Sequence, residues 1–293
     1  MTFHTKQENR SVRAGLIGCG IQKSRTPAMH VEEGRCNGLN YQYDLIDLTV
    51  LGLNIDSLPD LIAQAENDGF SGLNITHPCK QAATNFVDEL SDAAAALGAI
   101  NTIVFNDGKR TGHNTDWWGF AAGFRRGFPD AKVGEVILIG AGGAGVAVAH
   151  ALANLGASAV HIFDIDAKKT QQLISQLSAY HADCQFVVGE DMAQVLKRSD
   201  GLAHATPTGM AEHPGVPLDV NLLDARHWVA EIVYFPLETE LLRIARERGC
   251  RVLNGGGMAV HQAVGAFELF SGVTPDVERM IRHFQSLGEG GGI

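Results

Sequence analysis

The stretch Gly140-Ala141-Gly142-Gly143-Ala144-Gly145 decides how the second half of this chain folds. It matches the pattern G-x-G-x-x-G, follows the apolar run at residues 136–139, and opens an alanine-rich segment that continues to residue 155. In this pattern the first glycine permits a tight turn, the second lets a pyrophosphate approach the backbone, and the third lets helix and strand pack closely. The free N–H groups at the start of the helix hold the phosphates. The motif therefore predicts a dinucleotide-binding domain of the Rossmann type, and a flexible glycine-rich turn is the alternative.

An acidic residue stands at the end of the next predicted strand, in Phe163-Asp164-Ile165-Asp166. Roughly 20 residues beyond the glycines, a carboxylate accepts hydrogen bonds from the hydroxyls of the adenosine ribose. The 2′-phosphate of NADP would instead meet like charge, a repulsion of about 4 kcal/mol at ~4 Å in a medium of effective dielectric ~20. Asp164 therefore predicts NAD as the cofactor. Lys168 and Lys169 could partly neutralise a phosphate, but the pattern of a solvated first helical turn accounts for them better.

Short β-branched runs alternate with longer alanine- and leucine-rich segments along the whole chain, the pattern of βα units and a parallel sheet. At 293 residues the chain exceeds the usual size of one domain, so two are expected. The turn Asn106-Asp107-Gly108 predicts a hairpin that leads to Gly112. A helix is expected to start at Lys80, residues 1–13 read as a loose leader, and the tail after residue 287 as disordered.

Charge and composition exclude several classes of function. The net charge of −10 repels nucleic acid and anionic membranes, and the apolar runs are too short to span a bilayer. Five scattered cysteines form no C-x-x-C pair, which argues against a disulfide framework or a structural zinc site and fits a reducing cytoplasm. The histidines near the motifs match no metal-binding spacing, so no metal is expected; they are His30, His77, His113 and His261.

Four polar segments of the first half follow predicted strands or precede predicted helices, where α/β folds place ligand-binding groups. Singly, each is also explained as a turn or a helix cap. They are Ser24-Arg25-Thr26-Pro27, Asn74-Ile75-Thr76-His77-Pro78-Cys79-Lys80, Gly98-Ala99-Ile100-Asn101-Thr102 and Gly112-His113-Asn114-Thr115-Asp116.

Together these segments resemble the shikimate dehydrogenase family, over about residues 15–272. The second and fourth carry the signatures N-x-T-x-P-x-K and G-x-N-T-D. The resemblance continues through Ala205-Thr206-Pro207-Thr208-Gly209-Met210, Tyr234, Asn254-Gly255-Gly256-Gly257-Met258 and Gln262.

The resemblance implies an α/β protein with an N-terminal α/β substrate domain and a Rossmann-type, doubly wound NAD-binding domain. Residues 1–116 and 255–293 would form the substrate-binding, catalytic domain and residues 117–254 the dinucleotide-binding domain. Lys80 would be catalytic, Tyr234 would lie near substrate and nicotinamide, and Thr206 and Gly255 would line the cofactor. The implied substrate-binding residues are Ser24, Thr26, Thr76, Asn101, Asp116 and Gln262.

Two departures from the biosynthetic members resemble NAD-using quinate/shikimate dehydrogenases of catabolic pathways: Thr26, where a serine is usual, and Asp164-Ile165-Asp166. The implied reaction is the reversible, NAD-dependent oxidation of a ring hydroxyl of shikimate or quinate to the 3-dehydro ketone, on a small cyclic polyhydroxy acid in the cytoplasm. Three alternatives stay open: an NADP-dependent biosynthetic shikimate dehydrogenase, a dehydrogenase for an aminoshikimate-like analogue, and a non-catalytic sensor of the ring acid. A homodimer is also left open.

Oxidation of a secondary alcohol requires that the hydroxyl lose its proton while hydride leaves for the nicotinamide. We expect Lys80 to accept this proton in oxidation and return it in reduction, with Asp116 orienting it. A protonated lysine would also stabilise the developing alkoxide. A structural Lys80–Asp116 salt bridge is the alternative.

Overall fold

The computed structural model describes residues 10–288, and they fall into two compact units. Unit 1 comprises residues 10–91, 100–113 and 263–288, and unit 2 comprises residues 92–99 and 114–262. The expected functional domains, with boundaries at 116/117 and 254/255, remain a prediction. The tail was expected to be disordered after residue 287; residues 289–293 of it lie outside the described residues.

The strands and helices of the described residues are numbered in chain order. The strands are β1 (Ser11–Gly18), β2 (Asn40–Asp47), β3 (Gly72–Ile75), β4 (Glu89–Leu90), β5 (Thr102–Asn106), β6 (Lys109–His113), β7 (Glu135–Ile139), β8 (Ala159–Phe163), β9 (Gln185–Val188), β10 (Gly201–His204), β11 (Trp228–Glu231) and β12 (Arg251–Leu253). The α-helices are α1 (Thr26–Cys36), α2 (Leu48–Leu51), α3 (Leu58–Asn67), α4 (Asp92–Leu97), α5 (Asp116–Gly127), α6 (Gly143–Asn154), α7 (Ala167–Ser178), α8 (Met192–Leu196), α9 (Glu240–Glu247), α10 (Gly256–Ser271) and α11 (Val277–Ser286). Short 3₁₀ helices occupy Ile55–Ser57, Ala82–Phe86 and Val220–Leu222.

Unit 1 is built on a mixed sheet of order β2-β1-β3-β5-β6-β4. Strands β2, β1 and β3 run parallel, and β5 runs antiparallel to β3 and to β6. The predicted hairpin is confirmed: Asp107 and Gly108 have φ of 51° and 74°, and two positive φ values are what a tight two-residue hairpin turn requires. Because β5 starts and β6 ends where β3 ends, three connections meet at one edge of this sheet.

Unit 2 is built on an entirely parallel sheet of order β12-β11-β10-β7-β8-β9. Its first strand, β7, lies in the middle, with β8 and β9 on one side and β10, β11 and β12 on the other. This is the doubly wound order, and it confirms the predicted fold class. Residues Val136, Ile137 and Leu138 of β7 are completely buried, as expected for a central strand covered on both faces.

Two local predictions were wrong. Residues 11–13 belong to β1, where they pair with β2, so the expected leader does not reach residue 13; residues 1–9 lie outside the described part. The helix expected from Lys80 is a 3₁₀ helix at Ala82–Phe86. No helix in the described part of the chain is both long enough and apolar enough to cross a membrane.

A buried ion pair ties α1 to α11 within unit 1. The Glu33 carboxylate, 1% exposed, accepts from Arg279 Nη2 at 2.6 Å and Nε at 2.7 Å, from the Asp276 N–H and from Asn37 Nδ2. Burial alone would raise the pKa of Glu33, but these hydrogen bonds outweigh it and hold the pKa below its ordinary value. The pair therefore stabilises unit 1 only while Glu33 is ionised.

We expect Arg279→Ala to lower the free energy of unfolding of unit 1 by about 3 kcal/mol near neutral pH, because it leaves a buried carboxylate unpaired. A depressed folded-state pKa gives stability that is present above the unfolded value, ~4.3, and is lost as pH falls. The difference between wild type and variant should therefore shrink below about pH 4 in denaturation measured across pH. Arg35→Ala, which removes the exposed partner of Glu32 on α1, is the matched control and should change little. A pH-independent difference would show that the pair is not the cause.

Candidate active site

The glycine motif forms the turn between β7 and α6. Gly140 has a φ of 109°, and a Cβ there would lie 2.7 Å from the Ala205 carbonyl oxygen. A Cβ on Gly145 would lie 2.0 Å from the Gly140 carbonyl oxygen, so strand end and helix are in direct backbone contact. Among the described residues, nothing lies within 4 Å of a Cβ built on Gly142 or Gly143. The open side of the turn therefore has room for a ligand pyrophosphate beside the first amides of α6.

Asp164, directly after β8, is tied to this turn. Its Oδ2 accepts from the Ala141 N–H at 2.6 Å and its Oδ1 from the Asp166 N–H at 2.8 Å. A carboxylate has about four acceptor positions, so both oxygens can still accept from a ribose diol. Asp166 caps α7 by accepting from the N–H groups of Lys168 and Lys169, both of which are exposed. The Ile165 side chain between the two acids is fully exposed, a feature that sequence reasoning did not single out.

Thr206 follows β10 on the other side of β7. Its hydroxyl lies at hydrogen-bonding distance from His204 Nε2 and accepts from the Thr208 N–H at 3.2 Å. His204 in turn pairs with Glu231, at the end of β11. Neither His204 nor Glu231 was predicted from the sequence, because their pairing joins residues 27 positions apart and leaves no local pattern.

Of the remaining predicted residues of unit 2, Tyr234, Gly255 and Gln262 follow β11 or β12, and Asp116 precedes β7. Tyr234 is 43% exposed in the loop after β11. Gly255 is packed against that loop: its N–H donates to the Val233 carbonyl, and a Cβ on it would lie 2.1 Å from the Ile232 carbonyl oxygen. Gln262 lies on α10, its Nε2 donating to the Ala259 carbonyl. Asp116 is the first residue of α5 and is 7% exposed; its N–H donates to Asn114 Oδ1.

In unit 1, Ser24 lies in the connection from β1 to α1 and Thr26 is the first residue of α1; Ser24 Oγ accepts from the Thr26 N–H. The buried Asp47 carboxylate holds this connection by accepting from the N–H groups of Gly20 and Ile21 and from Gln22 Nε2, each at 3.0 Å. Burial would raise the pKa of Asp47, but these hydrogen bonds hold it below its ordinary value. Asp47 is therefore an ionised anchor for the loop that carries Ser24 and leads into Thr26, two of the predicted substrate ligands.

Thr76 and Lys80 lie in the connection after β3, beside the β1 connection. The Thr76 N–H donates to the Ile17 carbonyl, and the Lys80 carbonyl accepts from the Ile100 N–H at 3.0 Å. Cys79, next to Lys80, is completely buried, and this burial raises the pKa of its thiol to about 11. The thiol is therefore protonated at neutral pH and unsuited to nucleophilic work.

A buried hydrogen-bond chain fixes the orientation of Asn101. The Tyr43 hydroxyl donates to Asn74 Oδ1 at 2.7 Å, Asn74 Nδ2 donates to Thr102 Oγ1 at 3.0 Å, and Thr102 donates to Asn101 Oδ1 at 3.0 Å. Burial raises the pKa of Tyr43 well above its ordinary value, so its hydroxyl remains a donor. Because the Asn101 oxygen is engaged, its amide nitrogen is the end that can donate to a ligand.

Each unit thus gathers its own part of the predicted site. In unit 1 the groups meet at the edge where β1 and β3 end and β5 begins: Ser24, Thr26, Thr76, Lys80 and Asn101. In unit 2 the glycine turn, Asp164, Thr206 and Gly255 lie at the carboxyl ends of the parallel strands, where doubly wound folds bind ligands. Among residues 10–288 there is no group of three or more side chains of the metal-ligating types placed to hold an ion.

Comparison with known families gives three matches along the chain. A model of the shikimate dehydrogenase substrate binding domain matches residues 16–103, a shikimate/quinate 5-dehydrogenase model matches residues 124–212, and a shikimate 5′-dehydrogenase C-terminal domain model matches residues 255–283. The matched ranges begin in β1 and end in α11, and they include the N-x-T-x-P-x-K segment, the glycine turn and Gly255.

Individual relatives are similar over nearly the full length. A shikimate dehydrogenase (NADP(+)) of Pseudarthrobacter chlorophenolicus is 49% identical over 96% of this chain and 97% of its own. A quinate/shikimate dehydrogenase (NAD(+)) of Corynebacterium efficiens is 46% identical over 94% and 99%. A solved structure of quinate dehydrogenase from Corynebacterium glutamicum in complex with NAD superposes with a TM-score of 0.90 at 44% identity, covering 95% of this chain and 100% of that one. Relatives named for NAD(+) and relatives named for NADP(+) are therefore both similar to this chain, so the choice between the two cofactors has to be argued from its own residues.

We expect Gly145→Ala to lower the melting temperature and to abolish dinucleotide binding, because its methyl group would overlap the Gly140 carbonyl oxygen. Gly143→Ala, at the first residue of the same helix, is the control: its methyl group meets open space and should leave the melting temperature unchanged or slightly raised. Thermal denaturation of the ligand-free protein gives the melting temperature of each variant, and titration with the dinucleotide tests its binding. Equal melting temperatures for the two variants would contradict the close packing at Gly145.

Proposed function

Because the chain belongs to the shikimate dehydrogenase family, we propose that it is an NAD-dependent dehydrogenase that reversibly oxidises a ring hydroxyl of shikimate or quinate to the 3-dehydro ketone. The observation that carries the choice of cofactor is the Asp164 carboxylate, placed after β8 and hydrogen-bonded to the glycine turn. The proposal assigns residues 117–254 to the dinucleotide and residues 1–116 with 255–293 to a small cyclic polyhydroxy acid. It includes a cytoplasmic location, in keeping with five free cysteines, and assigns no macromolecular partner.

The groups around the glycine turn fit NAD better than NADP. The adenosine ribose would place its 2′ position beside Asp164, with Asp166 two residues further on. A hydroxyl there can donate to the carboxylate, whereas a phosphate would bring like charge against it. NAD supplies the hydride acceptor; the protein supplies binding by α6 amides, by Gly142 and Gly143, and by Asp164.

The substrate side offers donors and one strong acceptor. We assign Ser24, Thr26, Thr76, Asn101, Tyr234 and Gln262 to substrate binding. The neutral amine of Lys80 can accept the hydroxyl proton, and its protonated form can stabilise the alkoxide; Asp116 is a buried carboxylate to which we assign the orientation of Lys80. The Asn101 amide nitrogen can donate to a ring oxygen, because its own oxygen accepts from Thr102.

A second candidate has an observation in its favour, since a relative at 49% identity is named for NADP(+). Absorbance of reduced nicotinamide, followed with shikimate or quinate and with NAD or NADP, separates the candidates. The proposal requires turnover with NAD on at least one acid, with a higher kcat/KM than with NADP. Turnover with NADP alone would establish the biosynthetic type. Binding of either acid without turnover would favour a sensor, and no response to either acid would direct the assay to amino analogues.

For the cofactor, we expect Asp164→Asn to shift the ratio of kcat/KM for NAD over NADP toward NADP by about one hundredfold, a change of roughly 2.7 kcal/mol. The substitution removes the charge but retains an acceptor for the Ala141 N–H. Asp183→Ala is the control, since Asp183 is exposed and precedes β9, at the opposite end of the sheet. An unchanged ratio in Asp164→Asn would place the ribose elsewhere.

For the chemical step, we expect Lys80→Ala to lower kcat by roughly 10²–10⁴-fold, the usual contribution of a general acid–base group. NAD affinity, measured by isothermal titration, should stay within about twofold, because Lys80 belongs to unit 1 and the glycine turn to unit 2. Lys109→Ala removes an exposed lysine of the same unit and should alter neither quantity. Parallel loss of NAD affinity and turnover in Lys80→Ala would instead indicate a structural salt bridge.

A further inference from the structure

A buried histidine–glutamate pair joins the ends of β10 and β11. His204 and Glu231 are register partners on these neighbouring strands, and His204 Nδ1 lies 2.7 Å from Glu231 Oε1. Both side chains are completely inaccessible to solvent. The pair is thus part of the interior of unit 2, directly beneath the segment that carries Thr206.

The hydrogen bonds of this group form one continuous chain. Thr239 donates its hydroxyl hydrogen to Glu231 Oε2, and its oxygen accepts from the Leu242 N–H as the cap of α9. With Oε2 engaged by Thr239, Glu231 Oε1 accepts from His204 Nδ1, and the opposite ring nitrogen, Nε2, meets the Thr206 hydroxyl. The chain Thr239–Glu231–His204–Thr206 therefore fixes the orientation of the imidazole ring. Through the ring it also fixes the hydroxyl of Thr206, the one member of the chain that is only part-buried.

Stability does not explain why two ionisable groups occupy this position. Removing charges from water costs several kcal/mol per ion, and well-packed apolar residues of similar volume are often neutral or stabilising in place of a buried pair. Fully connected polar networks in an interior orient their members and specify one arrangement. The member available to a ligand is Thr206, because it alone of the four residues is not fully buried.

The position of Thr206 in the sheet indicates which half of a bound dinucleotide would lie beside it. In a doubly wound sheet the two mononucleotide halves of the ligand lie on either side of the central strand. Asp164, after β8, marks the adenosine half. Thr206, after β10, therefore belongs to the nicotinamide half, as do the loops after β11 and β12.

From this we infer that His204, Glu231 and Thr239 are positioning residues, which orient the Thr206 hydroxyl for a hydrogen bond to the nicotinamide half of NAD. The inference rests on the proposed function, in that it presupposes NAD binding by unit 2. The three residues do not contact the ligand themselves. Their substitution should weaken the binding of NAD but not the binding of a nucleotide that lacks the nicotinamide mononucleotide.

The experiment compares the binding of NAD and of ADP by isothermal titration, without substrate or turnover. Thr206→Val and Glu231→Gln should each weaken NAD binding by roughly tenfold, the usual range for one oriented hydrogen bond, and leave the Kd of ADP unchanged. The double variant should be no weaker than Thr206→Val alone, because Glu231 acts through Thr206. Thr206→Ser should keep wild-type affinity. Glu135→Gln is the matched control: Glu135 pairs with His161 at 3.2 Å in the same sheet, but it begins β7 at the opposite end, and its loss should affect neither ligand.

Several results would overturn the inference. These are an unchanged NAD affinity in Glu231→Gln, equal weakening of NAD and ADP, or additive effects in the double variant, which would indicate general damage to the sheet. Should Glu231→Gln not fold, Thr239→Val removes the distal donor and Thr206→Val the terminal hydroxyl, and both must weaken NAD selectively. Wild-type protein that binds neither NAD nor ADP would instead refute the proposed function.

Discussion

Backbone contact around Gly140 is the constraint on which unit 2 depends. The end of β7, the start of α6 and the segment after β10 approach so closely that a Cβ on Gly140 would lie 2.7 Å from the Ala205 oxygen and one on Gly145 2.0 Å from the Gly140 oxygen. Because β7 is the central strand, the chain leaves it toward β8 on one side and returns through β10 on the other. The crevice for a ligand opens where those paths diverge. Asp164 and Thr206 then follow the strands on opposite sides of β7, and the proposal assigns them to different halves of a dinucleotide.

In unit 1 the corresponding constraint is the need to satisfy buried polar groups at the edge where β1 and β3 end. Asp47 does so for the β1 connection, and the chain Tyr43–Asn74–Thr102 does so for the start of β5. A buried carboxylate or amide that lacks hydrogen-bond partners leaves its desolvation cost uncompensated, so most such groups in protein interiors are hydrogen-bonded. Their bonding holds the backbone around Ser24, Thr26 and Asn101 in one arrangement before any ligand arrives.

Short sequence motifs predicted the structural features that form within a few residues of one another. The glycine motif and the Asn106-Asp107-Gly108 turn each determine the structure within a few residues, and both predicted turns are confirmed. Asp164 follows the next strand as predicted, while its role toward the cofactor stays a prediction. Helix α5 was not predicted, since its glycines disfavour a helix, yet a Cβ on Gly119 would lie 2.7 Å from the Gln262 nitrogen of α10: the glycine is there for close helix packing. The His204–Glu231 pair and Asp47 depend on which strands become neighbours, and no spacing in the sequence records this. Ser24, Thr76, Lys80 and Asn101 lie at one edge of the unit 1 sheet, and the roles that the resemblance gives them stay predictions.

The polarity of the assigned substrate groups narrows the ligand further. With its oxygen bonded to Thr102, Asn101 offers a donor, and Lys80 is a donor while it is protonated. The hydroxyls of Ser24, Thr26 and Thr76 can donate or accept, so they suit a carboxylate and ring hydroxyls alike. Among the assigned residues Asp116 is the single carboxylate, and it cannot donate while ionised. A ligand that satisfies this set needs many oxygen acceptors and at least one hydroxyl hydrogen to give to Asp116 or Lys80. A polyhydroxy acid meets that requirement, and under the proposed function the hydroxyl whose proton leaves during oxidation is the one that donates to Lys80.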